Sequence, residues 1–300
     1  MPFVADTAND LYVEVLDYVC GEGERVSPRG LATREVRGAS LLLTDPTCNL
    51  VTVKPLNIRF AVAEFLWILT GQNRLDLIKK FNSEIARYSD DDRHMSGAYG
   101  PPVADQLPWV IKQIEDQEDT RQALLTIWRP RPGPSADVPC TISMQFMLRN
   151  DALEMVVYMR SNDLWLGFPY DLFVFTMIQR YVAHAIGVPA GPYHHHVGSL
   201  HVYERDLDAA RAALDAPHSH VETSDLALTY PWPLVALEVL VASPEKLPAM
   251  AADRGAEMSP GWWALLSLLI PAYSSANVKW REILETHGLE PKGFREYVDG

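Results

Sequence analysis

The chain has 300 residues, a formal net charge of −13, 48% hydrophobic and 22% charged side chains. That length fits one large domain or two small ones, and that apolar share fits a globular protein with a sizeable core. The acidic balance argues against a general nucleic-acid-binding surface and leaves room only for a local basic pocket that takes one phosphate.

The cysteines are Cys20, Cys48 and Cys140. Three widely spaced cysteines without a CxxC pair fit a reducing compartment better than a disulfide framework or a zinc site. No charged-then-apolar leader opens the chain, and no apolar run is long enough to cross a bilayer. A cytoplasmic protein without a membrane partner is the expectation.

In chain order, residues 11–19 carry Val13, Val15, Leu16 and Val19 at helical spacing, and a polar loop follows over 21–30. That loop holds Arg29, with Arg34 a little beyond it. Residues 39–43 and 50–53 read as strands around the turn Asp45-Pro46. Residues 57–69 form a strongly apolar helix stopped by Gly71. Glu64 lies inside this helix between Ala63 and Phe65, where a carboxylate needs a partner or a raised pKa, or else an edge of the helix that faces water. A second helix is expected over 74–81. Ser89-Asp90-Asp91-Asp92-Arg93 reads as solvated surface charge, and Gly97-Ala98-Tyr99-Gly100 follows it. Residues 105–117 are helical in pattern, with Pro108 disturbing the start, and 123–128 form an apolar strand. A Pro-rich loop over 129–139 delivers the chain to Cys140.

Residues 142–148 and 153–159 then alternate as two strands, with Asn150-Asp151 as the turn between them. An antiparallel hairpin brings its open ends together, so Cys140 should lie beside Arg160. A guanidinium next to a cysteine favours the thiolate, the nucleophilic form. The competing reading is a small buried core cysteine. An apolar helix follows over 171–186 and ends at Gly187-Val188-Pro189-Ala190-Gly191. His194, His195 and His196 invite a metal reading. Successive strand residues point to opposite faces, however, and no Cys, Asp or Glu stands beside them at ligand spacing, so no metal is expected. Residues 197–203 form a strand that puts His201 and Tyr203 on one face. A short helix over 207–214 follows, then an apolar segment over 262–270 and a helical pattern over 278–286.

The pieces Pro139-Cys140, Arg160-Ser161-x-Asp163, Leu166-Gly167-Phe168-Pro169-Tyr170-Asp171 and Gly198-x-x-His201-x-Tyr203 resemble, in order and spacing, the catalytic core of the thymidylate synthase superfamily. Asp171 draws the chain towards its deoxycytidylate hydroxymethylase branch. Glu64-x-x-Trp67-x-Leu69-x-Gly71 resembles the helix that carries the family's general acid/base. The resemblance covers roughly residues 30–206 and thins beyond, where residues 294–300 do not match the family's closing tail.

The resemblance implies an α/β (α+β) fold of three layers with a large mixed sheet. It also implies a single catalytic domain over 1–300, less family-like from about 207 onward, and a homodimer packed through the sheets. Cys140 would add to C6 of a pyrimidine nucleoside monophosphate, making C5 nucleophilic towards the one-carbon unit of 5,10-methylenetetrahydrofolate. Glu64 and Tyr99 would move protons. Arg29, with Arg34 as its nearby rival, would hold the phosphate together with Arg160 and Ser161, and Arg121 would reach the partner's phosphate. At that last point the family has two adjacent arginines and this chain has Arg121-Gln122, with Arg129 or Arg131 available to compensate. His201 and Tyr203 would hold the sugar, while Asp163 and Gly167 would meet the folate.

Asp171 stands where uracil-using members carry asparagine. A carboxylic acid can donate to N3 of cytosine and accept from its amino group. The plainer alternative is that Asp171 caps the helix that follows. These implications together point to hydroxymethylation of dCMP. The alternatives are CMP as substrate, methylation of dCMP or dUMP, a nucleotide- or RNA-binding regulator, and last a thiol hydrolase.

Overall fold

A computed structural model describes residues 2–130 and 135–218, together with residues 221 and 223. They fall into two compact units. The first takes residues 2–56, 106–130 and 139–218; the second takes 57–105 and 135–138. The fold is mixed α/β, as expected.

The first unit is built on a seven-stranded mixed sheet. Its strands are β1 (Pro2–Ala5), β2 (Glu24–Val26), β3 (Thr33–Leu43), β4 (Leu124–Thr126), β5 (Thr141–Arg149), β6 (Ala152–Asp163) and β7 (Ala190–Tyr203). The order is β1-β3-β7-β6-β5-β4, with β2 on the outer part of β3. β1 runs parallel to β3 and β6 parallel to β7, and the other neighbours are antiparallel. The hairpin read from the sequence is β5–β6. Asn150 and Asp151 both adopt positive φ at its turn, which short polar side chains tolerate.

Helices α1 (Ala8–Glu22) and α5 (Phe168–Ala185) pack on the sheet. Thr7 caps α1 by accepting from the Asp10 amide at 3.2 Å. α5 is apolar on nearly every side, and Phe168, Phe173 and Phe175 are fully buried. A helix apolar all round belongs inside a core. Thr176 and Gln179, polar and fully buried in α5, are paired: Thr176 Oγ1 accepts from Asn49, and Gln179 Nε2 donates to the carbonyls of Leu153 and Gly191. The short helix α6 (Leu207–Leu214) packs on α1 and has the extent expected of it.

Residues 50–53 do not form the expected strand. Leu50, Val51 and Val53 are buried, but the Thr52 amide donates to the Asn9 side chain at 2.7 Å instead of to a neighbouring strand. An apolar alternation reports burial, and only a backbone partner makes it a strand.

A line of residues crosses three strands. Gly38 of β3 takes φ 66. It stands opposite Gly198 of β7, which stands beside Arg160 of β6. A Cβ on Gly198 would lie 2.9 Å from the Arg160 carbonyl oxygen, so only glycine fits there. Along β6 the buried odd positions are Leu153, Met155, Val157 and Met159 before this line, with Val156 also covered on the other face, and the buried position after it is Asn162. Along β7 they are Tyr193, His195 and Val197 before it and Leu200 and Val202 after it. The inward face thus changes from odd to even positions in both strands while their pairing register is kept.

In the second unit, α2 (Ile58–Leu69) is the apolar helix read from the sequence, capped by Asn57, which accepts from the Phe60 amide at 3.0 Å. The expected helix over 74–81 is only the single turn α3 (Leu75–Ile78). Its first amide is taken by the Arg93 carbonyl, so the chain is anchored from outside rather than extended as a helix. The helix read over 105–117 is α4 (Gly100–Asp116), which begins earlier than expected; its residues up to 105 belong to this unit and those from 106 on to the first. Pro101 and Pro102 occupy its first turn, where a missing N–H costs nothing, and Pro108 is carried inside it. The readings over 262–270, 278–286 and 294–300 lie outside the described residues.

Candidate active site

Cys140 immediately precedes β5, and the hairpin returns Arg160 to it as the strand pattern requires. Arg160 N donates to the Cys140 carbonyl at 2.9 Å, Arg160 Nε donates to the Pro139 carbonyl at 3.0 Å, and Nη2 lies 3.5 Å from Cys140 Sγ. The guanidinium also lies 5.9 Å from the Trp128 ring. A fixed cation therefore stands beside a half-buried sulfur, the surroundings of a reactive cysteine rather than of an inert core one.

The neighbouring ends of β6 and β7 carry most of the other expected residues. Ser161 pairs with Ser199, and Asp163 with His201. Asp163 Oδ1 accepts from the amides of Trp165 and Leu166 at 2.9 and 3.0 Å, which fixes the turn that leads into α5. Burial pushes the Asp163 carboxyl up, against the pull of those two amides and of His201. His201 and Tyr203 share a face as expected, with their rings in edge contact at 5.3 Å. Gly167 opens α5; a Cβ there would sit 3.4 Å from Asn162 Oδ1 and 3.6 Å from Asp171 Oδ2.

Asp171 does not cap α5, because Gly167 holds the cap position and Asp171 is already in the first turn. Its carboxyl is pushed up to about 7, chiefly by burial, with a hydrogen bond from Asn162 pulling the other way and the Asp163 charge adding to the rise. Near neutral pH this group is therefore an acid as much as a carboxylate.

Asn162 is a residue that the sequence reading passed over. It lies between two recognisable motif positions, and its burial follows from the face change at Arg160. His195 also emerges differently from its neighbours. The three histidines do alternate: His194 lies 3.6 Å from Glu154 and His196 stacks on Tyr158 at 5.2 Å, while His195 is fully buried beside Phe168 and Tyr193. Burial drives His195 down to about 3, so it is neutral. Among the described residues no group of three potential ligands could hold a metal. Lys54 was missed as well. Its ammonium packs 4.2 Å over the Trp165 ring and donates to the Trp165 carbonyl, and burial lowers it to about 8. A lysine directly after an apolar run was the available signal.

The expected arginines are less gathered. Arg29 lies on the surface in a 3-10 turn over Pro28–Gly30 with φ 54, a left-handed conformation. Arg34 is half-buried, with Nη1 donating to the Gly23 carbonyl at 3.4 Å and Nε 3.8 Å from Glu204. Arg121 is exposed just before β4, and its carbonyl accepts from Gln145 Nε2 at 2.9 Å. Arg129 is exposed, and Arg131 lies outside the described residues.

The second unit holds Glu64 and Tyr99. Glu64 is half-buried in α2 between two fully buried neighbours. Gly71 takes φ 73 just beyond that helix, and the Gly100 Cα packs so closely on Gln72 that a Cβ would fall 2.3 Å from its carbonyl oxygen. The tight approach of Gly100 carries half-buried Tyr99 to the end of the Glu64 helix. The 89–93 loop is more than solvated charge. Asp90 accepts from Ser135 Oγ at 2.6 Å and from the Ala136 amide at 2.7 Å, and Asp137 accepts from the Gly97 amide at 2.5 Å. These bonds hold the loop just upstream of Cys140.

A mixed sheet thus presents a cysteine–arginine pair, a polar strand end and, in the first turn of a helix, an acid that burial pushes up, the arrangement of a protein with a reactive thiol. The chain matches the thymidylate synthase family over residues 10–231 and belongs to it. The match begins earlier and ends later than the segment recognised in the sequence. A curated relative, the deoxyuridylate hydroxymethyltransferase of Bacillus phage SP01, is 33% identical over 229 residues, which is 69% of this chain. The aligned part spans 60% of that relative's length.

Proposed function

We propose that the protein transfers a one-carbon unit from methylenetetrahydrofolate to C5 of a pyrimidine deoxynucleoside monophosphate, with dCMP as substrate and a hydroxymethyl group as product. Cys140 adds through its sulfur to C6, and the negative charge moves to C5 and the C4 substituent. Arg160 holds the thiolate and meets the phosphate with Ser161 and Arg29. His201 and Tyr203 hold the sugar. Glu64 and Tyr99 return and remove protons at the ring, and Cys140 leaves as the C5–C6 double bond re-forms. The folate supplies the carbon, with Asp163 and Gly167 facing it and Lys54 and Trp165 alongside.

The observation that carries the substrate is the Asp171 carboxyl, pushed up to about 7. A neutral acid offers one donor and one acceptor to the base edge, the pair that N3 and the amino group of cytosine need. Hydroxymethylation rests on the stretch around Tyr88, which holds none of the tryptophans that methylating members carry there; water can then complete the reaction. A second reading, hydroxymethylation of dUMP, is favoured by the name of the phage relative.

Incubating the purified protein with methylenetetrahydrofolate and dCMP, CMP, dUMP or UMP, and weighing the products, tests the proposal. Hydroxymethyl-dCMP is the expected product. Turnover of uracil nucleotides alone would overturn the reading of Asp171, and a methylated product would overturn the reading of water as the final nucleophile.

A further inference from the structure

The guanidinium of Arg160 stands on a long, flexible stem at an exposed position near the end of β6. A side chain of this kind loses much rotamer freedom when it is held in one place. Its Nε donates to the Pro139 carbonyl at 3.0 Å, and its Nη2 lies 3.5 Å from Cys140 Sγ. Its Cζ also lies over the Trp128 ring, 5.9 Å from the centroid.

Trp128 owes its place to an irregularity in β5. Thr141 pairs with Met159 and Ser143 with Tyr158, so Ile142 is left as the extra residue of a bulge. The Ile142 carbonyl accepts from two amides, those of Ile127 at 2.9 Å and Trp128 at 3.1 Å. The chain leaving β4 is thereby fastened to the strand that starts directly after Cys140. A bulge bends its strand and re-aims the side chains beside it. Here the same irregular residue, close behind Cys140 in the chain, also fixes the backbone of Trp128.

Core packing does not account for the indole. Leu125 and Ile127 are buried, while Trp128 is 40% exposed. Indole is the side-chain ring that attracts a cation most strongly. A ring beside the guanidinium restricts its swing and keeps water off one flank, so the positive charge acts on its neighbours with less screening. Those neighbours are the Cys140 sulfur and, in the proposed reaction, the nucleotide phosphate.

We propose that Trp128 is a positioning residue of the reactive centre: fastened through the bulge at Ile142, its ring holds the Arg160 guanidinium where it favours the Cys140 thiolate and meets the phosphate. The inference rests on Cys140 as the nucleophile and Arg160 as its partner, as proposed above.

Alkylation of Cys140 by iodoacetamide between about pH 5 and about pH 10 tests it without requiring turnover. The Cys140 peptide is read by mass, so Cys20 and Cys48 do not contribute. The variants are Trp128→Leu, Trp128→Gln, Trp128→Phe, Arg160→Ala and the double variant Trp128→Leu/Arg160→Ala, each checked for folding by its thermal transition. Loss of the ring in Trp128→Leu or Trp128→Gln is expected to raise the midpoint of the alkylation profile by about half a pH unit. It should also weaken dCMP binding, measured by calorimetry, by about three- to fivefold. Trp128→Phe, which keeps a ring, should recover most of both. In the Arg160→Ala background the ring has no guanidinium to hold, so adding Trp128→Leu should move the midpoint no further. Either ring-free variant reports where the other fails to fold. A folded ring-free variant with the wild-type midpoint and affinity would overturn the inference. So would an equal upward shift in the Arg160→Ala background, which would mean that the ring acts on the sulfur without the guanidinium. A wild-type Cys140 that alkylates with the midpoint of an ordinary thiol, about 8.5, would overturn the nucleophile itself, and with it the proposed function.

Discussion

At the residue scale the chemistry rests on two groups held in opposite ways. Cys140 has a cation at 3.5 Å, so Cys140→Ala should abolish turnover, while Arg160→Ala should lower kcat by roughly a hundredfold or more as both the thiolate and the phosphate lose their partner. Single-turnover assays with a C5-tritiated nucleotide would measure both losses. Asp171 is held by burial. Its folded carboxyl keeps a proton to about pH 7, whereas the unfolded one loses it near pH 4. Between those values the folded chain binds more protons than the unfolded chain, so stability falls as pH rises, by roughly 4 kcal/mol at most. Asp171→Asn removes this titration. Its melting temperature should fall less than that of the wild type between about pH 5 and about pH 8, and its base preference should move towards uracil. Scanning calorimetry and paired substrate assays would settle both.

These residues differ in how far the sequence revealed them. Cys140, Arg160, Asp163, Asp171, His201 and Tyr203 were legible because they sit at fixed spacings in motifs. Asn162 and His195 were not, because their meaning depends on which face of a strand they occupy. For Asn162 that face is set by the change at Arg160.

At the element scale, position comes from close backbone packing. A methyl group on Gly198 would force β6 and β7 apart at the Arg160 carbonyl, so Gly198→Ala should destabilise the fold by about 1–3 kcal/mol and lower kcat/KM more than its stability loss explains. Denaturant unfolding alongside kinetics would separate the two effects. The loop before Cys140 is tied by Asp90 to Ser135 and Ala136. Asp90→Ala should leave the melting temperature within a few degrees of the wild type and slow the alkylation of Cys140 and the turnover together. The hairpin, α1, α2, α5 and α6 were readable from periodicity and caps. The strand over 50–53 and the long helix over 74–81 were misread because a side chain, Asn9, and a distant carbonyl, that of Arg93, took the amides those elements needed.

At the scale of the whole molecule, the face of the sheet opposite α5 carries exposed Tyr158, stacked on His196, and exposed Val4, in line through Leu42 with His194. A homodimer packed through the sheets, as the resemblance implies, would cover this face and put Arg121 at the partner's phosphate. Tyr158→Glu should then shift sedimentation from dimer to monomer. Mixing inactive Cys140→Ala with inactive Arg121→Ala should restore part of the activity through hybrid dimers, and no recovery would argue for one-chain sites.

The shared face change at Arg160 and Gly198 bears on how such a protein can diversify. One residue added to or lost from β6 alone would turn its polar end towards the core while β7 stayed as it was. Insertions and deletions must therefore fall on both strands together or on neither as lineages diverge. A new preference for base or sugar must come from exchanging side chains at fixed positions, and proteins with different substrates can keep an almost unaltered backbone.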